Sequence, residues 1–139
     1  MSFTRKDYPL AENHPDKIRG TRGKSLSDLT LDGVVEGGVV IEDLRITPQA
    51  LNDQADVSRS AGRSRLAENF ERASELVNVP QDFIMEVYEL LRPGRAKNKD
   101  VLLAAAHTMR ETHKAVRIAN FIEEAAEIYE KRGLFTHRF

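Results

Sequence analysis

Apolar positions recur at intervals of three and four residues from residue 47 to residue 132, and this spacing predicts a series of amphipathic helices. The first helix is predicted to begin at Thr47, whose hydroxyl suits an N-cap, with Pro48 at a position where its missing N–H costs nothing. Gly62 marks a bend after it. The clearest apolar stripe then follows and comprises Leu66, Ala67, Phe70, Ala73, Leu76 and Val77.

Proline and glycine divide the helices that follow. Pro80 ends the second helix and opens a third, which the motif RPGR at residues 92–95 terminates. A last helical region covers residues 100–132, with a predicted bend at residues 112–115 and Gly133 as its C-cap. We expect the core to contain the large side chains Phe70, Leu76, Val87, Leu91, Phe121 and Ile128.

The first 46 residues lack this period. Residues 1–28 are punctuated by proline and glycine and lean towards basic side chains, which predicts an extended arm. Residues 29–46 fit two different structures. One is a hairpin around the Gly-Gly pair at 37–38, between runs of valine, and the other is a short helix capped by Thr30.

Composition indicates that large core-forming side chains are few. Hydrophobic residues make up 40% of the 139 positions, but alanine supplies a visible part of them and there is no Trp. A chain of this length still suits one domain. We therefore predict an all-α fold, in which residues 1–46 form an extended arm and a short irregular segment that pack on a partner, and residues 47–139 form the helical domain.

Charge and residue usage exclude several classes of function. The net charge of −1, with 31% charged residues, does not give the basic field that non-specific binding to nucleic acid or anionic membranes needs. The absence of Cys excludes disulfides, thiolate nucleophiles and Cys-ligated metals. No apolar run is long enough for a membrane span, and the N-terminus does not resemble a signal peptide. We expect a soluble, cytoplasmic protein.

No motif in the chain predicts catalytic, cofactor-binding or metal-binding residues. The stretch GTRGKS at residues 20–25 looks like a phosphate-binding loop, but Ile18 stands where that motif needs its first glycine. His107 and His113 are six residues apart, so they lie on different faces of a helix. The acidic run EEAAE at residues 123–127 fits the solvated face of a helix better than a metal site.

Arginines cluster near the first helix break and, with the proline-separated helices, imitate a helix-turn-helix. They are Arg59, Arg63, Arg65 and Arg72. The helix after Pro80 carries Asp82, Glu86 and Glu89, which repel phosphate, so these arginines are expected to pair with carboxylates or with a partner chain. From the pattern alone three functions stay open: a subunit that packs on a partner, a DNA-binding helix-turn-helix module, and a helical adaptor.

Five ordered motifs resemble those of the small subunit of adenosylcobalamin-dependent diol and glycerol dehydratases. They are DYPLA (7–11), LRITPQALNDQA (44–55), AGRSRLAENFERASEL (61–76), VPQDFIMEVYELLRPGR (79–95) and FIEEAAEIYEKRGL (121–134). The resemblance covers nearly the whole chain. It implies a subunit of a lyase that converts 1,2-propanediol or glycerol into an aldehyde and water by a radical route.

The same resemblance implies the partners. A large barrel subunit would hold the diol and a metal ion, and adenosylcobalamin would lie between the large and medium subunits. The small subunit would be mostly helical, pack on the large subunit and supply no catalytic residue, in a dimer of three-subunit units. We expect partner contacts at Tyr8, Pro9 and Leu10 in the arm and at Leu44 and Ile46 before the first long helix.

Several positions depart from the family pattern. Gly94 stands where the family usually has an aromatic residue, Glu123 where it often has arginine, and the tail GLFTHRF at residues 133–139 is more aromatic than usual. Members packed in bacterial microcompartments commonly carry an N-terminal extension, and only MSFTRK precedes Asp7 here. We therefore expect that this chain does not itself direct the enzyme to a compartment, and that another subunit does so if the complex is enclosed.

Overall fold

The computed structural model describes residues 2–135, and within this range the fold is all-α, as predicted. Eight α-helices follow one another among the described residues. They are α1 (Leu10–Asn13), α2 (Leu31–Val35), α3 (Ile41–Leu44), α4 (Pro48–Ser60), α5 (Ser64–Leu76), α6 (Gln81–Leu91), α7 (Lys99–Glu111) and α8 (Val116–Lys131). Single 3₁₀ turns lie at Arg5–Asp7, Pro15–Lys17 and Leu26–Asp28. Most of the aromatic tail, from residue 136 onward, lies outside the described residues.

The helix ends predicted from the sequence are confirmed. The Oγ1 atom of Thr47 accepts a hydrogen bond from the backbone N–H of Ala50 at 3.1 Å, and Pro48 occupies the first turn of α4. The bend at Gly62 separates α4 from α5. The region predicted as one long helix is broken between α7 and α8, where Lys114 adopts a left-handed conformation with φ of 57°.

The extended arm is not confirmed. Its residues form short helical turns, and Phe3 and Leu10 are buried in a cluster with Val57 of α4. The backbone N–H of Arg5 donates to Oγ of Ser60 at 3.0 Å, which fixes the start of the chain to the end of α4. The N-terminal segment therefore has contacts within the chain, which the proline and glycine punctuation did not indicate.

The chain divides into two compact units, Met1–Val77 and Asn78–Phe139. In the first unit, α4 packs against α5. An ion pair ties the two helices together, with 2.6 Å between Nη2 of Arg59 and Oε1 of Glu71. The division at residue 46 between arm and helical domain stays a prediction.

The second unit is built on the close packing of α7 against α8, with α6 against α7. Its fully buried large side chains are Leu102, Met109 and Ile122. Between them lie small residues, which bring the helix backbones close together: Ala105, Ala106, Ala115, Ala119 and Ala126 are all buried.

Polar bonds join the helices of the second unit at their margins. Arg110 of α7 donates from Nη1 to Oε1 of Glu123 of α8 at 2.5 Å, and the phenol of Tyr129 donates to the carbonyl of Leu91 at 2.5 Å. The hydrogen bond from Arg110 lowers the pKa of Glu123. Glu123, which departs from the family pattern, is therefore paired with Arg110 of this chain.

Most of the predicted core is wrong. Of the six side chains, only Val87 is buried, while Phe121 and Ile128 are exposed and the other three, Phe70, Leu76 and Leu91, are partly exposed. On α8 the buried stripe is instead formed by Ile118, Ala119, Ile122 and Ala126. The period located the helix correctly, but the two larger side chains Phe121 and Ile128 lie on its more exposed side.

Candidate partner interface

The short helix α2 exposes all of its side chains. Thr30 begins the helix, because its Oγ1 accepts a hydrogen bond from the backbone N–H of Gly33 at 3.0 Å. Gly33 allows a close approach, since a Cβ there would lie only 2.9 Å from Cγ2 of the buried Val39. No residue of α2 is buried, and Leu31 and Val35 are 79% and 77% exposed. Of the two structures that fitted this segment, the capped helix is the one observed.

The next helix, α3, has an inverted arrangement of polar and apolar side chains. Its single buried residue is Asp43, which is 3% exposed, while Ile41 and Leu44 point outward. Oδ2 of Asp43 accepts a hydrogen bond from the backbone N–H of Val40 at 2.9 Å and so caps its own helix. A buried carboxylate next to exposed aliphatic side chains is the reverse of what a free surface helix shows.

Asp43 also anchors the loop that precedes α2. Nη1 of Arg22 donates to Oδ2 of Asp43 at 2.8 Å. The loop closes through a hydrogen bond of 2.9 Å from the Gly20 N–H to the Lys24 carbonyl. Gly20 fits because a Cβ at this position would lie 3.0 Å from the carbonyl oxygen of Asp43. The loop and α3 are thus in direct contact, and the Arg22–Asp43 pair sets the orientation of α3.

Tyr8 stands at the edge of two grooves in the first unit and is 58% exposed. One groove of about 500 Å³ includes Pro9, Ile18 and Ile46, and its walls are largely apolar. The other, of about 490 Å³, includes Phe70 and is more polar. An exposed aromatic ring beside a largely apolar groove is a typical anchor for a partner chain.

The turn before Tyr8 is held by polar bonds. The backbone N–H of Thr4 donates to Oδ2 of Asp7 at 2.7 Å, and Nε2 of His14 lies 2.8 Å from Oδ1 of the same carboxylate. These hydrogen bonds, that of Thr4 first and that of His14 second, lower the pKa of Asp7. The His14 ring also lies 5.3 Å from the Phe3 ring, measured between centroids. Tyr8 is therefore presented by a structured turn.

Comparison with known proteins identifies the protein family of this chain. The family described as "Dehydratase small subunit" matches residues 3–136. The chain belongs to this family. The propanediol dehydratase small subunit of Citrobacter freundii is 46% identical over 126 residues, covering 91% of this chain and 73% of that protein. The corresponding subunit of Salmonella typhimurium (strain LT2) is also 46% identical over 126 residues, covering 91% of this chain and 72% of that protein.

In this dehydratase small-subunit chain, four of the five residues expected at a partner contact are exposed. Tyr8, Pro9, Leu44 and Ile46 are open to solvent, whereas Leu10 is buried with Phe3 and Val57. Sequence reasoning missed Leu31, Val35 and Ile41, which are exposed to a similar or greater degree. In the sequence, these three residues stand in a segment, residues 29–46, whose aliphatic residues have neither a helical nor a strand period.

The described part of this family member shows no group of three or more residues that could hold a metal ion. Its shifted pKa values have local structural causes: Asp28, for example, has a lowered pKa because the backbone N–H and hydroxyl of Ser25 donate to it. Arg59, from the cluster that imitated a DNA-binding motif, is paired with Glu71. Within residues 2–135, no helix has the length and apolarity required to cross a membrane.

Proposed function

We propose that this chain is the small subunit of an adenosylcobalamin-dependent dehydratase acting on 1,2-propanediol or glycerol, with a structural role in assembly. The observation that carries the proposal is the family match, which extends over nearly the whole chain, together with 46% identity to propanediol dehydratase small subunits. The exposed apolar side chains of α2 and α3 support a subunit role, because such surfaces are rare on monomers.

The proposed partners are the large and medium dehydratase subunits, in a dimer of three-subunit units in the cytoplasm. Tyr8, Pro9, Leu44 and Ile46 are proposed to face a partner, since each is exposed in this chain. Leu10 has a supporting role instead, because its burial against Val57 holds the segment that presents Tyr8.

The two large grooves described in the first unit do not fit a site for adenosylcobalamin. The two large grooves of the first unit are lined by aliphatic side chains and by scattered charged groups, and no histidine lines either of them. We therefore assign the cofactor to the other subunits, where it supplies the radical chemistry of the reaction. This chain contributes packing and orientation, and no catalytic step is assigned to its residues.

The proposal is tested by reconstitution. The chain is expressed with and without large and medium dehydratase subunits, and aldehyde formation from 1,2-propanediol and from glycerol is measured with added adenosylcobalamin. We expect the three chains to co-purify, and turnover to require this chain. The isolated chain should have no activity and should not retain cobalamin on gel filtration. Failure to co-purify, with equal turnover in its absence, would contradict the proposal, as would cobalamin that elutes with the isolated chain.

A further inference from the structure

The more polar of the two grooves beside Tyr8, with a volume of about 490 Å³, is lined by two arginines and, among the described residues, by no carboxylate. One wall is the N-terminal turn, which carries Arg5 and Tyr8. The other consists of Arg63, the N-cap residue of α5, and Phe70 within that helix. The end of α4 forms the floor between them. We name this space the basic groove, and its volume is typical of a site for a small molecule.

The backbone holds both arginines of the basic groove in place. The N–H of Arg5 donates to Oγ of Ser60 at 3.0 Å, and the N–H of Arg63 donates to the carbonyl of Ser58 at 2.9 Å. Both walls are thus fixed to the end of α4, and the groove is formed before any ligand binds. A preorganised site binds more tightly because less conformational entropy is lost on association.

The guanidinium groups of the basic groove are not used elsewhere in the described part of the chain. Arg59 is paired with Glu71 at 2.6 Å, whereas the exposed side chains of Arg5 and Arg63 form no ion pair or hydrogen bond within residues 2–135. A guanidinium group presents a planar fork of donors that matches the oxygens of a carboxylate or a phosphate. Two such groups on facing walls therefore suit an oxyanion.

The charged groups near the basic groove leave it positive. Asp7, two positions after Arg5, is already bonded within the N-terminal turn, and Asp53 on α4 accepts from Gln49 at 2.7 Å and lines the other large groove. Glu68 is two positions from Phe70, so it lies on a different side of α5. The nearest further cations in the sequence are Lys6 and Arg65, and both are exposed.

We propose that the basic groove binds a small organic anion, in which a carboxylate or phosphate is joined to a flat apolar body. The oxyanion contacts the guanidinium groups of Arg5 and Arg63, and the body packs against the rings of Tyr8 and Phe70, which are 58% exposed and partly exposed. The site lies within the first unit alone, so it does not depend on the proposed function. Because Tyr8 is also a proposed partner contact, the test uses the full chain without its partners.

Binding is tested by two-dimensional ¹⁵N–¹H NMR during titration with benzoate and, separately, with phenyl phosphate. We expect saturable shifts concentrated at the amides of Arg5, Tyr8, Arg63 and Phe70, and the arm with the tighter binding identifies the preferred oxyanion. Benzyl alcohol, which has no charge, and inorganic phosphate, which has no apolar body, should each bind at least about fivefold more weakly. Shifts scattered over the chain, or no saturation by either anion, would overturn the proposal.

The arginines are tested with Arg5→Gln and Arg63→Gln. Each should weaken binding of the preferred anion at least about fivefold, because a charge-assisted hydrogen bond is lost. The matched control is Arg65→Gln, an exposed arginine of α5 that does not line the groove, and its binding should stay within about twofold of wild type. An equal loss in Arg65→Gln would show a general attraction to the basic surface instead of a site.

The aromatic wall is tested with Tyr8→Ala, which should weaken binding of the preferred anion at least about threefold, since the body loses one of its two rings. Tyr88→Ala on α6, at a tyrosine of similar exposure, should bind like wild type. Far-UV circular dichroism and melting should be unchanged in all five variants. If Arg63→Gln melts earlier than wild type, Arg5→Gln alone decides the role of the arginines. Unaltered affinity in both Arg5→Gln and Tyr8→Ala would place the anion outside this groove.

Discussion

Arg22 donates a hydrogen bond from Nη1 to Oδ2 of Asp43 at 2.8 Å, and the carboxylate that accepts it is buried whereas the guanidinium is about half exposed. Among the described residues, Asp43 is the single buried charged side chain, and its other oxygen, Oδ1, has no hydrogen-bond partner within that part of the chain. Burying a charge is costly unless it is paired. The pair therefore decides whether α3 can keep its polar side inward and its apolar side outward.

Arg22→Ala should destabilise the first unit by about 2 kcal/mol, because the Asp43 carboxylate would stay buried without its charged partner. Urea denaturation followed by far-UV circular dichroism measures this loss. Asp43→Asn should cost less, about 1 kcal/mol, since the amide oxygen still accepts from the Val40 N–H while the exposed Arg22 returns to water.

A double-mutant cycle provides the control for this pair. In the Asp43→Asn background, Arg22→Ala should cost less than half of what it costs in wild type, because no buried charge is left unpaired. An equal cost of Arg22→Ala in both backgrounds would show that the two side chains act independently.

The neighbours Phe121 and Ile122 on α8 should respond oppositely to truncation. Ile122→Ala should destabilise the chain by about 2–5 kcal/mol, because a fully buried side chain is removed from between α7 and α8. Phe121→Ala should cost less than half as much, since the ring is 43% exposed, although it is the larger side chain. Both values come from denaturant unfolding of the isolated chain. A larger loss at Phe121 would mean that α8 is rotated relative to the arrangement described.

Acid should loosen the N-terminal turn through Asp7. The pKa of Asp7 is lowered in the folded chain by hydrogen bonds from Thr4 and His14, so the ionised form is favoured by folding. This contribution is fully present above the pKa of the unfolded chain, near the ordinary value of 3.8, and is lost as the pH falls through the lower folded value.

The test compares wild type with Asp7→Asn between pH 3 and pH 7 by urea denaturation. Wild type should be more stable near neutral pH, and the difference should shrink below about pH 4 as the carboxylate becomes protonated. A difference that stays constant over this range would show that the charge of Asp7 does not contribute to folding.

Tyr8→Ala should weaken assembly with the partner subunits by about 1–3 kcal/mol, the usual range for an aromatic anchor at an interface. The melting of the isolated chain should hardly change, because the ring is largely exposed. Titration of the partner complex measures the binding, and Tyr88→Ala, at a tyrosine of similar exposure on α6, is the matched control. An equal loss of stability in the isolated chain would place Tyr8 in the core instead.

The sequence was sufficient for the long helices after residue 46 and for their ends, because caps and breaks depend on local chemistry. The cap at Thr47 and the break before α8 needed no knowledge of the rest of the fold. The core was not predictable in the same way. On α8, one stripe contains Phe121 and Ile128 and another contains Ile122 with alanines, and the period does not show which of them is covered. The alanines were the better signal, since small side chains allow two helices to pack closely.

Exposed apolar side chains at the candidate interface were anticipated only in part. Leu44 and Ile46 were expected at a partner contact and are exposed, whereas Leu31 and Ile41, which are also exposed, lay in a segment with two possible structures. The inverted burial of Asp43 depends on its contact with Arg22, which is 21 residues earlier. A contact between residues so far apart in the sequence cannot be predicted from the local pattern of hydrophobic and polar residues.

The outward aliphatic side chains of α2 and α3 also have a consequence for the life of the subunit in a cell. Chaperones and proteases recognise unfolded proteins by exposed hydrophobic side chains. A copy that has not met its partners displays such side chains although it is folded. We therefore expect the lifetime of an unassembled copy to depend on how soon it meets its partners. Under the proposed function, the exposed side chains of α2 and α3 would then link the amount of small subunit to that of its partners.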